Sequence, residues 1–136
     1  MNFVLDASAA AGWFLPDERT DYTESIFEAV SGPDEAFIPT LWAYEIRNIV
    51  LKGIRRGRVT PTVARPLLSA LSQLRLRPME TRFDSTLDTA MKFSLSFYDA
   101  AYLDLAIRED LPLASLDRGL REAARLAGVP IYGEGQ

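Results

Sequence analysis

The chain has 136 residues, 48% of them apolar and 25% charged, and its 15 basic and 19 acidic side chains give a net charge of −4. That length and balance suit one domain, residues 1–136, with a sizeable core, and argue against disorder. Cysteine and histidine are both absent, which excludes disulfides, thiolate nucleophiles, zinc knuckles, Ser-His-Asp triads and imidazole acid–base chemistry.

The N-terminus reaches Asp6 without a basic stretch, unlike a signal peptide. The longest uncharged run, Ala7 to Pro16, is ten residues, too short for a bilayer span of about 20. A cytoplasmic protein with no membrane association is expected. Asn2 to Asp6 reads as a buried strand ending in a carboxylate, and the small apolar residues 7–15 predict a short helix stopped by Pro16. Tyr22, Ile26, Phe27 and Val30 give residues 18–30 helical periodicity, ended by Ser31-Gly32-Pro33. Ala36-Phe37-Ile38 is a second strand. Thr40 is expected to cap a helix running to about Arg56, with Gly57 as its stop. Thr60-Pro61 opens another, to about Leu74. Residues 76–81 predict a third strand that Pro78 confines to an edge. Helices follow at 84–95 and 98–109, a strand at 112–116, a helix at 118–127 and a last strand at 129–132. Strands alternating with helices give an α/β fold with a mainly parallel sheet.

Most acids belong on solvated helix faces, but four do not. Asp6 and Asp117 each follow an apolar strand, at the end of the sheet where ligands bind in open α/β folds. Glu45 has Leu41, Trp42 and Ile49 on its helical face, and Asp99 has Tyr102, Leu103 and Ala106 on its own. Carboxylates entering apolar surroundings are costly unless paired or bound to a metal. The structural alternatives are helix-cap roles for Asp6 and Asp117, and a buried Arg or a Tyr hydroxyl as partner for Glu45 and Asp99. Taken together, four acids with few basic residues nearby invite a divalent cation, and oxygen-only ligands suit Mg²⁺ or Mn²⁺.

The same segments carry a family resemblance. Asp6-Ala7-Ser8-Ala9 resembles the opening D-x-S-A motif of PIN-domain nucleases, and Glu45 followed by Asn48 resembles their second acidic motif. Tyr98-Asp99-Ala100-Ala101-Tyr102 through Ala106 is similar to the Y-D-A-x-Y-x-x-L-A signature. Leu113 to Leu120 is similar to the last block, L-x-T-x-D-x-x-L, with Ser115 in place of the usual Thr. Order and spacing agree over essentially the whole chain, whose size suits the VapC-like toxin ribonucleases. The resemblance implies a three-layer sandwich around a five-stranded sheet ordered 3-2-1-4-5. It implies catalytic and metal-binding roles for Asp6, Glu45, Asp99 and Asp117, with Ser8, Ser115 and Asn48 in support. It implies an Mg²⁺- or Mn²⁺-dependent endoribonuclease, the toxin of a toxin–antitoxin pair that inhibits translation or growth. A homodimer and a cognate antitoxin are the expected partners.

Residues 46–79 hold eight basic side chains and no acid. Lys52, Arg55, Arg56 and Arg58 are therefore candidate RNA contacts; a solvated helix pair or a surface for an acidic protein is the alternative. Asp104 is expected to form a solvated pair with Arg108. Trp13, Phe14 and Leu15 are either core or a partner surface. Residues 83–88 partly match a phosphatase nucleophile loop but lack its second Asp and its Gly. The rival to an enzyme is a PIN-fold protein-binding module whose acids are structural.

Overall fold

Four parallel strands form the centre of the molecule, a computed structural model that describes residues 1–134. β1 (Phe3–Leu5) is completely buried and pairs with β2 (Ala36–Pro39) on one side and β4 (Leu113–Ala114) on the other. β3 (Leu76–Met79) adds to the outer edge of β2, giving the order β3-β2-β1-β4. A strand covered on both faces needs no polar alternation, which is why Phe3-Val4-Leu5 reads as a continuous apolar run. Pro78 sits in β3 on the edge, where a missing N–H is tolerated.

Parallel neighbours require crossovers, and helices supply them. α1 (Asp21–Ser31) links β1 to β2, opened by a capping box between Thr20 and Thr23. α2 (Trp42–Arg55) and α3 (Pro61–Ser69) link β2 to β3; α4 (Phe83–Phe93) and α5 (Phe97–Glu109) link β3 to β4. α6 (Arg118–Leu126) follows β4. α2 lies against the segment after β1 because Gly53 has no side chain: a Cβ there would lie 2.5 Å from Leu15 Cδ2.

Three expectations are corrected. Residues 7–15 form two 3-10 turns, Ala7–Ala9 and Ala11–Trp13, rather than one helix. The tight path lets Gly12 approach the next 3-10 turn so closely that a Cβ would meet Glu18 O at 2.6 Å. Trp13, Phe14 and Leu15 are buried in the core. The fifth strand is reduced to one parallel bridge, Leu113 with Ile131. It keeps its place beside β4, since Leu113 N donates to Pro130 O and Tyr132 N to Leu113 O. Pro130 has no N–H to extend the ladder, and Gly133 turns the chain away at φ +83. Thr40 does not cap α2; Leu41 occupies the cap position, its carbonyl accepting from Tyr44 N and Glu45 N. Among the described residues no helix is long and apolar enough to cross a membrane.

Candidate active site

The ends of β1 and β4 lie side by side, because Leu5 pairs with Ala114 and Asp6 N donates to Ala114 O at 2.9 Å. Asp6 is therefore buried where the two strands finish. Its Oδ2 accepts from Ser8 Oγ at 2.6 Å and from Ser115 Oγ at 2.8 Å. The serines are fixed in turn: Ser8 Oγ accepts from Leu116 N, and Ser115 Oγ from Asp117 N. Asp117 caps α6, with Oδ1 accepting from Gly119 N and Leu120 N. The cap uses one carboxylate oxygen and leaves the other without a donor among the described residues. For Asp117 the structural alternative and a ligand role are thus compatible.

α2 and α5 bring the other two acids. Glu45, one turn into α2, accepts a short hydrogen bond on Oε1 from the Tyr102 hydroxyl of α5. Tyr102 is completely buried. Asp99 lies in the first turn of α5, its N–H capped by Ser96 Oγ. A helix start stabilises negative charge. Asp6, Ser8, Glu45, Asn48, Asp99 and Asp117 all line one pocket of about 210 Å³. Four carboxylates from four separate segments of chain meet there, and Ser115 supports the pocket from beneath.

Their crowding shows in their acidities. Asp99 is pushed up to about 6, chiefly by burial, then by the charges of Asp117 and Asp6, against a hydrogen bond from Ser96. Burial also raises Asp6, opposed by the Ser8 and Ser115 hydroxyls and reinforced by Asp117. Glu45 is raised by burial and by the Asp6 and Asp99 charges, while the Tyr102 bond pulls it down. No basic side chain contributes to any of these three shifts. A pocket of mutually repelling acids with no protein cation favours a bound one.

The PIN domain family model matches residues 3–126. The chain belongs to the PIN domain family. Ribonuclease VapC3 of Pyrobaculum aerophilum is 34% identical over 126 residues, which cover 90% of this chain and 94% of that protein. The crystal structure of PAE2754 from Pyrobaculum aerophilum, 28% identical, gives a TM-score of 0.65 over 94% of this chain and 90% of its own. VapC20 of Mycobacterium tuberculosis, a toxin that cleaves the sarcin-ricin loop, is 14% identical and shares the fold, with a TM-score of 0.64 over 90% of this chain and 95% of its own.

Among the described residues of this PIN domain, no three acids form a ready-made ligand cage. A hard cation such as Mg²⁺ keeps several waters and takes only one or two carboxylates directly. The donor set is all oxygen, and Glu45 and Asp117 each keep an oxygen that no donor among the described residues occupies, so the residues present fit such an ion.

The basic candidates divide. Lys52, Arg55 and Arg56 are exposed and form no ion pair among the described residues. Lys52 and Arg56 share the α2 face of Glu45 and Asn48, with Arg55 at its margin. Arg58 is corrected: its guanidinium forks onto Asp17 at 2.9 Å and reaches Glu18 at 2.7 Å, so its charge is already matched. Arg75 and Arg77 are likewise engaged, with the Gly32 and Pro33 carbonyls and with Glu35. Asp104 does pair with Arg108, but it is only 3% exposed, not solvated, and also accepts from Ser85, Thr86 and Thr89. Phe83 to Asp88 lie within α4, not in a strand-end loop, which removes the phosphatase reading. The Tyr hydroxyl weighed as a structural partner of Glu45 is that of Tyr102, which the sequence alone did not single out. The signal available was a Tyr on the same face of α5 as Asp99.

Proposed function

We propose that this PIN protein is an Mg²⁺- or Mn²⁺-dependent endoribonuclease and the toxin of a toxin–antitoxin pair. The convergence of four carboxylates on one open pocket carries the reading. The 34% identity to a ribonuclease along nearly its whole length supports it. Asp6, Glu45, Asp99 and Asp117 would hold the ion, which supplies positive charge at the scissile phosphate and lowers the pKa of the attacking water. The chain's own part is positional. Ser8 and Ser115 hold Asp6, the α6 cap holds Asp117, and Tyr102 holds Glu45, so the acids keep their places despite repulsion. Asn48 on the rim offers an amide to the sugar–phosphate, and Lys52, Arg55 and Arg56 lead RNA phosphates along α2 towards the pocket.

A chain without histidine has no imidazole pair for attack by the ribose 2′-hydroxyl. Water is the nucleophile in this reading, and the products carry 5′-phosphate and 3′-hydroxyl ends. The protein acts in the cytoplasm as one 1–136 unit, as a homodimer, and is silenced by a cognate antitoxin. The test is incubation of purified protein with a structured RNA in Mg²⁺, Mn²⁺ or EDTA, followed by analysis of the new ends. Metal-dependent cleavage leaving 5′-phosphates is expected; cleavage that survives EDTA, or cyclic-phosphate ends, contradicts the reading.

A further inference from the structure

Two of the pocket acids are each preceded by an exposed tyrosine. Tyr44, before Glu45, is 79% exposed, and Tyr98, before Asp99, is 64% exposed. Consecutive helical residues are rotated by about 100°, so each tyrosine stands beside its acid on the rim rather than under it. Neither hydroxyl has a hydrogen-bond partner among the described residues. Both line a cavity of about 390 Å³ that shares Glu45 and Asn48 with the acidic pocket and is floored by Leu41. One tyrosine comes from α2 and the other from α5, and the Tyr102–Glu45 bond ties those helices together. The spacing of the two aromatic walls is therefore set by a part-buried contact between helices, not by loops.

We propose that Tyr44 and Tyr98 form a stacking site for one unpaired nucleobase, that of a nucleotide next to the scissile phosphate. This rests on the ribonuclease reading above. A strand whose phosphate lies among the carboxylates carries its neighbouring nucleotide into the adjoining cavity, because the two spaces share a wall. Exposed aromatic faces beside a phosphate path are how proteins hold single-stranded RNA without reading a fixed sequence. The Asn48 amide and the two phenols give the base edge polar partners, and the unpaired cations on the same face of α2 match the flanking phosphates.

The test combines Tyr44→Ala/Tyr98→Ala, Tyr44→Phe/Tyr98→Phe and wild type with RNA loops in which one nucleotide near the cut is abasic. Stacking predicts that the Ala pair raises KM by roughly tenfold or more, with kcat much less affected, and that the Phe pair recovers most of the loss. It also predicts one abasic position whose KM penalty disappears in the Ala protein, the non-additivity expected of partners in contact. Equal penalties for every abasic position in both proteins overturn the proposal. So does an Ala protein that binds RNA normally but changes from dimer to monomer in sedimentation, which assigns the surface to a second copy. Wild type that cleaves no RNA in Mn²⁺ is a different result, and it refutes the ribonuclease reading itself.

Discussion

The phenol of Tyr102 donates to Glu45 Oε1 across the space between α5 and α2. Burial lifts the Tyr102 pKa and Glu45 raises it further, so the phenol stays protonated and donates to Glu45. Tyr102→Phe keeps the buried ring and removes that donor. The expected outcome is a folded protein whose cleavage, or whose affinity for Mn²⁺, falls by roughly 10–100-fold, as for other partners that orient metal-binding carboxylates. Mn²⁺ titrations of the cleavage rate measure it; wild-type behaviour would show that Glu45 needs no fixing.

Stability should respond to pH in an unusual direction. Asp99 has a folded pKa raised to about 6 from 3.8, so between those values the folded state binds a proton that the unfolded state has released. Stability then falls as pH rises through that window. Asp6 and Glu45, raised as well, act in the same sense. Asp17 and Asp34, lowered by Arg58 and by the N-terminal ammonium, oppose this only below about pH 4. In EDTA, acidification from pH 7 to 5 should therefore raise Tm. Mg²⁺ or Mn²⁺ at pH 7 should raise it too, by linkage, and should flatten the pH dependence. An EDTA melting curve that drops steadily from pH 7 to 5 contradicts the crowded-acid description.

Asp104 tests the opposite kind of carboxylate, one that holds the fold. Three α4 hydroxyls and Arg108 converge on it, pinning α4 to α5. Asp104→Ala leaves a largely buried guanidinium uncompensated and should cost about 3–5 kcal/mol. Cleavage per folded molecule should persist, and denaturant melts beside activity measured at low temperature check both halves.

The basic face makes a salt prediction. Each phosphate contact removed reduces the slope of log K against log salt by about 0.7 for single-stranded nucleic acid. Lys52→Ala/Arg55→Ala/Arg56→Ala should flatten the slope for RNA binding by about 2 in these terms. Arg58→Ala should leave the slope unchanged, because that guanidinium already serves Asp17 and Glu18.

The strand-end acids were legible because an apolar run ending in a carboxylate is a local pattern, and β1 and β4 lie side by side. Glu45 and Asp99 were legible as acids on apolar helix faces. What escaped was set at long range. The donor to Glu45 lies 57 residues away and the Arg58 partners about 40. Asp104 was paired correctly with Arg108 at i+4, but its burial depends on hydroxyls from another helix. The last strand failed on Pro130, whose missing N–H limits pairing to a bridge, and the 7–15 helix on a close approach to residues that follow it. Local periodicity carries neither fact.

The central claim is that the four acids meet to serve a metal, Asp117 while also capping α6, and Asp99→Asn tests it most directly. The change is nearly isosteric and removes one charge from a site where burial and two neighbouring acids already disfavour it. Paired measurements are needed: Tm in EDTA, and Mn²⁺-dependent cleavage of a structured RNA. The account predicts a Tm equal to or above that of the wild type together with loss of cleavage. A stable Asp99→Asn protein that cleaves RNA at the wild-type rate would contradict it.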